Sequence, residues 1–165
     1  MRNIEIRNAR RVAVLAHGHR ILVQNVTFEG TGGGAFEGWP DPAAGPGVRT
    51  ALITQCSIKD VCQLNRQAAP IWLASFSRNN SPVHSDVAVT NCTFDTGPGS
   101  DLQLWDVDGG FVGNNTALRC SPLLDPSPFL DASNSGGTVQ SGGNDVKAES
   151  NDSRLCMKQQ QQQQQ

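Results

Sequence analysis

The chain lacks a surplus of positive charge, a long apolar run and any cysteine pair at metal-binding spacing. Thirteen Lys and Arg face fifteen Asp and Glu, a formal net charge of −2. Recognition of nucleic acid through its phosphates therefore has no support. No stretch nears the roughly 20 apolar residues that cross a bilayer, and the opening MRNIEIRNARRVAV is too charged for the apolar core of a signal peptide. These absences predict a soluble chain with neither a nucleic-acid nor a membrane partner. The compartment stays open, because a longer parent could be secreted, and so does the oligomeric state. The five cysteines (Cys56, Cys62, Cys92, Cys120 and Cys156) include no CxxC pair, and their odd number suits no complete disulfide framework. Free, buried thiols are expected instead. No window keeps the three-and-four spacing of an amphipathic helix.

What the chain does have is an eight-residue phrase, repeated. ILVQNVTF (21–28), ALITQCSI (51–58) and VAVTNCTF (87–94) share alternating apolar positions, then Asn or Gln, a small residue, Ser or Thr, and Phe or Ile. IEIRNARR (4–11) keeps the first five positions, with Asn8 falling where Asn25 does. FVGNNTAL (111–118) keeps Phe111, Asn115 and Leu118. The copies begin at residues 4, 21, 51, 87 and 111, steps of 17, 30, 36 and 24. A fixed phrase at an irregular period describes stacked units joined by loops of varying length. Each unit adds a second short strand: VAVLA (12–16), GAFEGW (34–39), IWLAS (71–75) and LQLWD (102–106). Seventeen glycines and nine prolines supply the turns between them.

Winding like a coil satisfies this pattern. Each unit buries its apolar positions against those of its neighbours, about 4.8 Å away. The Asn of the phrase is expected to form an internal ladder through Asn25, Gln55 and Asn91, with Val26, Cys56 and Cys92 as a second inner stack. The IxVxNxxF-type phrases, over residues 3–118, resemble the right-handed parallel β-helix of the pectin-lyase-like superfamily. Residues 82–115 are further similar to β-helical glycosidases of the α-1,3-galactosidase type. The expected fold is all-β: a right-handed parallel β-helix of about five coils, a fragment lacking caps. Residues 1–146 would form the β-helix domain, regular over 3–118 and irregular over 119–146. Residues 147–165, ending in seven glutamines, would form a disordered polar tail.

Alternation along the second strands points Glu37, Trp39, Trp72, Gln103 and Trp105 outward, a set that includes all three tryptophans. Indoles beside carboxylates suit sugars, so Trp39, Trp72, Gln103 and Trp105 are candidate substrate-binding residues. Glu37, Asp106 and Asp108 are candidate catalytic carboxyls, since glycoside hydrolysis uses a pair. The alternative is that the loops at 40–50 and 76–86 fold over the tryptophans as a second small core. Each Asp also reads as a turn residue. The partner implied is a polysaccharide or oligosaccharide, with no cofactor and no metal: His17, His19 and His84 lack ligand spacing. With only Arg66 and Arg78 offered as bases, glycosidase is favoured over polysaccharide lyase. A non-catalytic glycan- or protein-binding module and an inactive structural fragment stand beside the hydrolase reading. Five N-x-S/T sequons occur, at Asn25, Asn79, Asn91, Asn114 and Asn151. The ladder would bury Asn25 and Asn91, leaving the other three as the accessible ones.

Overall fold

A computed structural model describes residues 1–39, 47–62, 64, 69–74, 84–95, 101–120, 129–132, 135 and 139–149. These contain fifteen strands and no helix. In chain order they are β1 (Arg2–Arg7), β2 (Val14–Ala16), β3 (Gly18–Glu29), β4 (Phe36–Gly38), β5 (Val48–Thr54), β6 (Ser57–Lys59), β7 (Ile71–Leu73) and β8 (His84–Thr90). There follow β9 (Thr93–Asp95), β10 (Leu102–Leu104), β11 (Val107–Gly113), β12 (Thr116–Cys120), β13 (Leu130–Asp131), β14 (Val139–Gly142) and β15 (Asp145–Glu149). Every pairing among them is parallel. One curled sheet runs β14-β11-β8-β5-β3-β6-β9-β12-β15 with β1 beside β3, and a second runs β13-β10-β7-β4-β2. The long β3 belongs to two ladders, its first part pairing with β5 and its last part with β1 and β6.

Like residues therefore lie over like. Val23, Ile53, Val89 and Val112 share one register column, and Phe28, Ile58, Phe94 and Ala117 another. In the smaller sheet, Phe36, Ile71 and Leu102 align. All of these are at most 1% exposed. The columns form one continuous core between the sheets. This stacking, all strand and all parallel, is compatible with a solenoid.

The corner after the phrase's strand differs from the expected ladder. Asn3, Asn25, Gln55, Asn91, Asn114 and Gly143 occupy successive corner positions with φ between 52° and 69°. Backbone bonds fix their order, from Gln55 N to Thr90 O, Asn91 N to Gly113 O and Asn114 N to Gly142 O. The column exists, but Asn25, Gln55 and Asn91 are exposed rather than internal. A left-handed residue breaks strand alternation, so its side chain turns out and the next one turns in. Asn dominates here because its short amide tolerates positive φ.

The inner ladder is thus one residue later: Val26, Cys56, Cys92, Asn115 and Asn144. Asn115 Oδ1 accepts from Cys92 N at 2.9 Å, and its Nδ2 donates to Val89 O at 3.0 Å. Asn144 repeats the pattern on Asn115 N (3.1 Å) and Val112 O (2.9 Å). The stack expected at Val26, Cys56 and Cys92 is present, each 3% exposed or less.

Register also corrects the two outer copies of the phrase. Arg2 pairs with Gln24, so Asn3, not Asn8, corresponds to Asn25. Phe111 pairs with Ala88, making Asn114 the counterpart of Asn91 and placing Asn115 in the Cys92 position. At the other end, β15 includes Lys147–Glu149, residues expected in the polar tail. The rest of that tail lies outside the described residues, as do Arg66, Arg78, Asn79 and most of the loops at 40–50 and 76–86.

Candidate functional site

Three three-residue strands build the site. In β4, β7 and β10 the outer positions point inward: Phe36, Ile71, Leu73, Leu102 and Leu104 are all 0% exposed. Their central residues must face the other way. Register places these in one row, Leu15, Glu37, Trp72, Gln103 and Asp131. The row of Glu37, Trp72 and Gln103 is the one the alternation predicts. Asp131 joins it from a segment too irregular for the repeat to reveal.

Trp39 and Trp105 follow β4 and β10. Trp105 N bonds Leu73 O at 2.9 Å, which anchors that corner to the neighbouring strand. The three indoles meet edge to face. Trp39 and Trp72 lie 4.7 Å apart at 68°, Trp72 and Trp105 6.3 Å apart at 85°. All three are half-buried. T-shaped indole pairs contribute about 0.5–1.5 kcal/mol each beyond the area they bury.

Glu37 is only 7% exposed. Its Oε1 accepts from Gly34 N and its Oε2 from Trp39 Nε1, both at 3.1 Å. The carboxylate thus ties the strand to the turn before it and fixes the first indole. That turn, Gly30–Gly34, is interior. Gly32 N bonds Ala9 O, Gly33 N bonds Arg11 O, and Cys62 N and Leu64 N return to Gly33 O and Gly32 O. A Cβ on Gly32 would sit 2.2 Å from the Arg10 carbonyl oxygen, so only glycine fits. Arg10 and Arg11 line an open cavity of about 480 Å³ together with Gly32, Glu37, Trp39, Leu64 and Trp72. Sequence reading missed both arginines, because they fall at the end of the IEIRNARR copy, beyond the five positions that match the phrase.

Three buried polar atoms near this row have no hydrogen-bond partner: Trp72 Nε1, Trp105 Nε1 and Gln103 Oε1. Two are donors and one is an acceptor. Cys62, whose N bonds Gly33 O, is 8% exposed. Its thiol is pushed up to about 12 by burial and by the charges of Glu37 and Asp101. It is an inert thiol at neutral pH.

The other candidate carboxyls are placed differently. Asp106 sits in a left-handed corner (φ 56°) between β10 and β11, and its carbonyl accepts from His84 N at 3.1 Å. Asp108 is exposed in β11, opposite Ser85, on the larger sheet. Glu37 and the Gln103 strand are two strand spacings apart, roughly 9–10 Å. The structure therefore unites Glu37 with the indoles and Gln103, but not with Asp108. His84 is a structural bridge: Nδ1 accepts from Val48 N at 3.0 Å and Nε2 donates to Ala74 O at 3.1 Å. That pairing fixes a neutral ring, and burial holds its pKa below 6.5. Among the described residues no group of three His, Cys, Asp or Glu converges as a metal site, and no helix is long and apolar enough to cross a membrane.

No family model matches the chain, and no curated protein matches it either.

Proposed function

We propose that this chain is a carbohydrate-binding stretch of a right-handed parallel β-helix of about five coils, of the pectin-lyase-like kind. The observation that carries the carbohydrate reading is a cavity whose lining brings Trp39 and Trp72 together with Glu37, Arg10 and Arg11. Indole rings pack against the C–H face of a sugar, while carboxylate and guanidinium groups bond its hydroxyls. At about 480 Å³ this cavity has room for a sugar ring.

The enzyme reading is a glycoside hydrolase with Glu37 as the carboxyl in the cavity wall. Binding without cleavage is favoured, because both Glu37 oxygens are engaged and Asp108 lies on the other sheet. A panel of neutral and acidic oligosaccharides, assayed for binding and then for released reducing ends, separates the two. Binding is expected without release. Trp72→Ala, which removes an indole from the cavity lining, weakens affinity about tenfold, or 1.4 kcal/mol. Release that Glu37→Gln or Asp106→Asn abolishes would establish hydrolysis instead. Silence across the whole panel would overturn the carbohydrate reading.

A further inference from the structure

We infer that Asn25, Asn91 and Asn114 are acceptors for N-linked glycan, arrayed along one outer corner of the molecule. The inference is independent of the carbohydrate-binding face. Each Asn begins a sequon completed by Thr27, Thr93 or Thr116. The sequence pattern placed Asn25 and Asn91 inside, where no glycan fits, but all three are exposed in left-handed corners at φ 52°, 54° and 56°. The middle residue of each sequon, Val26, Cys92 or Asn115, is the one that fills the interior, each at 1% exposure. Modification of the preceding residue therefore leaves the core untouched.

In the transfer, Asn Nδ2 attacks the anomeric carbon of a lipid-linked oligosaccharyl diphosphate. The N–C bond forms, the C–O bond to phosphate breaks, and the amide gives up one proton while the lipid diphosphate departs. The product keeps one N–H. That is enough to preserve the 2.9 Å bond from Asn25 Nδ2 to Asn3 Oδ1.

Spacing adds a restriction that the motif alone does not contain. Gln55 separates Asn25 from Asn91, whereas Asn91 and Asn114 occupy adjacent strands, with Asn91 N bonded to Gly113 O. At about 4.8 Å apart, two hydrated sugar chains do not fit side by side. Transfer precedes folding, so molecules modified at both fail to fold, and the folded population carries Asn25 plus one of Asn91 and Asn114.

The test is secretion of the full chain from a eukaryotic cell behind a cleavable leader. Intact mass after glycan trimming is combined with site-by-site glycopeptide mapping, so that Asn79 and Asn151 are scored separately. The expected folded product has Asn25 occupied and the occupancies of Asn91 and Asn114 summing to about one. Thr93→Val then drives Asn114 to full occupancy, and Thr27→Val removes one glycan. Absence of glycan from all three sites overturns the assignment. Full occupancy of both Asn91 and Asn114 in folded molecules overturns the spacing argument.

Discussion

At the inner corner, Cys92 Sγ accepts from Cys56 N at 3.5 Å and approaches Ile53 O at 3.9 Å. One strand further on, Asn115 takes the same two roles on Cys92 N and Val89 O. A thiol and a carboxamide are interchangeable there because the slot offers one donor and one acceptor on the neighbouring strand. The bonds to sulfur are weaker. Asn115→Ala is therefore expected to lower the unfolding free energy by about 2 kcal/mol or more, since it orphans buried groups. Asn115→Cys should lose less, and chemical denaturation of the two variants makes the comparison. His84 gives a residue-scale pH dependence. Desolvation holds its folded pKa below the ordinary 6.5, so the unfolded chain binds the proton first as pH falls. The stability contributed by the neutral ring is fully present above about pH 6.5 and is lost as acid moves toward the depressed folded value. Urea midpoints measured from about pH 7.5 down to about pH 5 should fall across that window, and His84→Gln should flatten the slope.

At the scale of the element, strand alternation was readable wherever apolar residues marked it. β4, β7 and β10 lie within the segments picked out by FEG, IWL and LQL, and the row through Glu37, Trp72 and Gln103 follows from period two alone. The corner was less legible. Periodicity carries no sign of φ, and a single left-handed residue reverses which of two neighbours is buried. Asn25 and Val26 illustrate this, the first exposed and the second 1% exposed. The slip in the last copy has the same origin, because Asn114 and Asn115 are chemically alike and only register separates them. The Gly30–Gly34 turn reads as an ordinary loop until its approach to the Arg10 carbonyl is seen. Two substitutions test these points. Gln55→Asn should stabilise the chain by roughly 0.5–1 kcal/mol, because Asn tolerates the left-handed corner better than Gln. Gly32→Ala should destabilise it and disturb the cavity lining, read as a lower thermal midpoint and altered Arg10 and Arg11 signals.

Over the whole molecule, parallel register links stability to the surface. The columns that bury Ile53, Phe94 and Leu104 at 0% exposure also set Trp72 between Glu37 and Gln103. Ile53→Ala should cost about 2–5 kcal/mol and, on the proposed function, loosen oligosaccharide binding without altering a residue of the Trp72 row. The indole N–H resonances report on that row most directly. In a titration with an oligosaccharide, the proposed function predicts that the Trp39 and Trp72 indole signals move, because both rings line the cavity. The Trp105 signal, from a ring that is not part of that lining, should move least. Saturating ligand that shifts Trp105 alone, or leaves all three indoles where they were, would contradict the account.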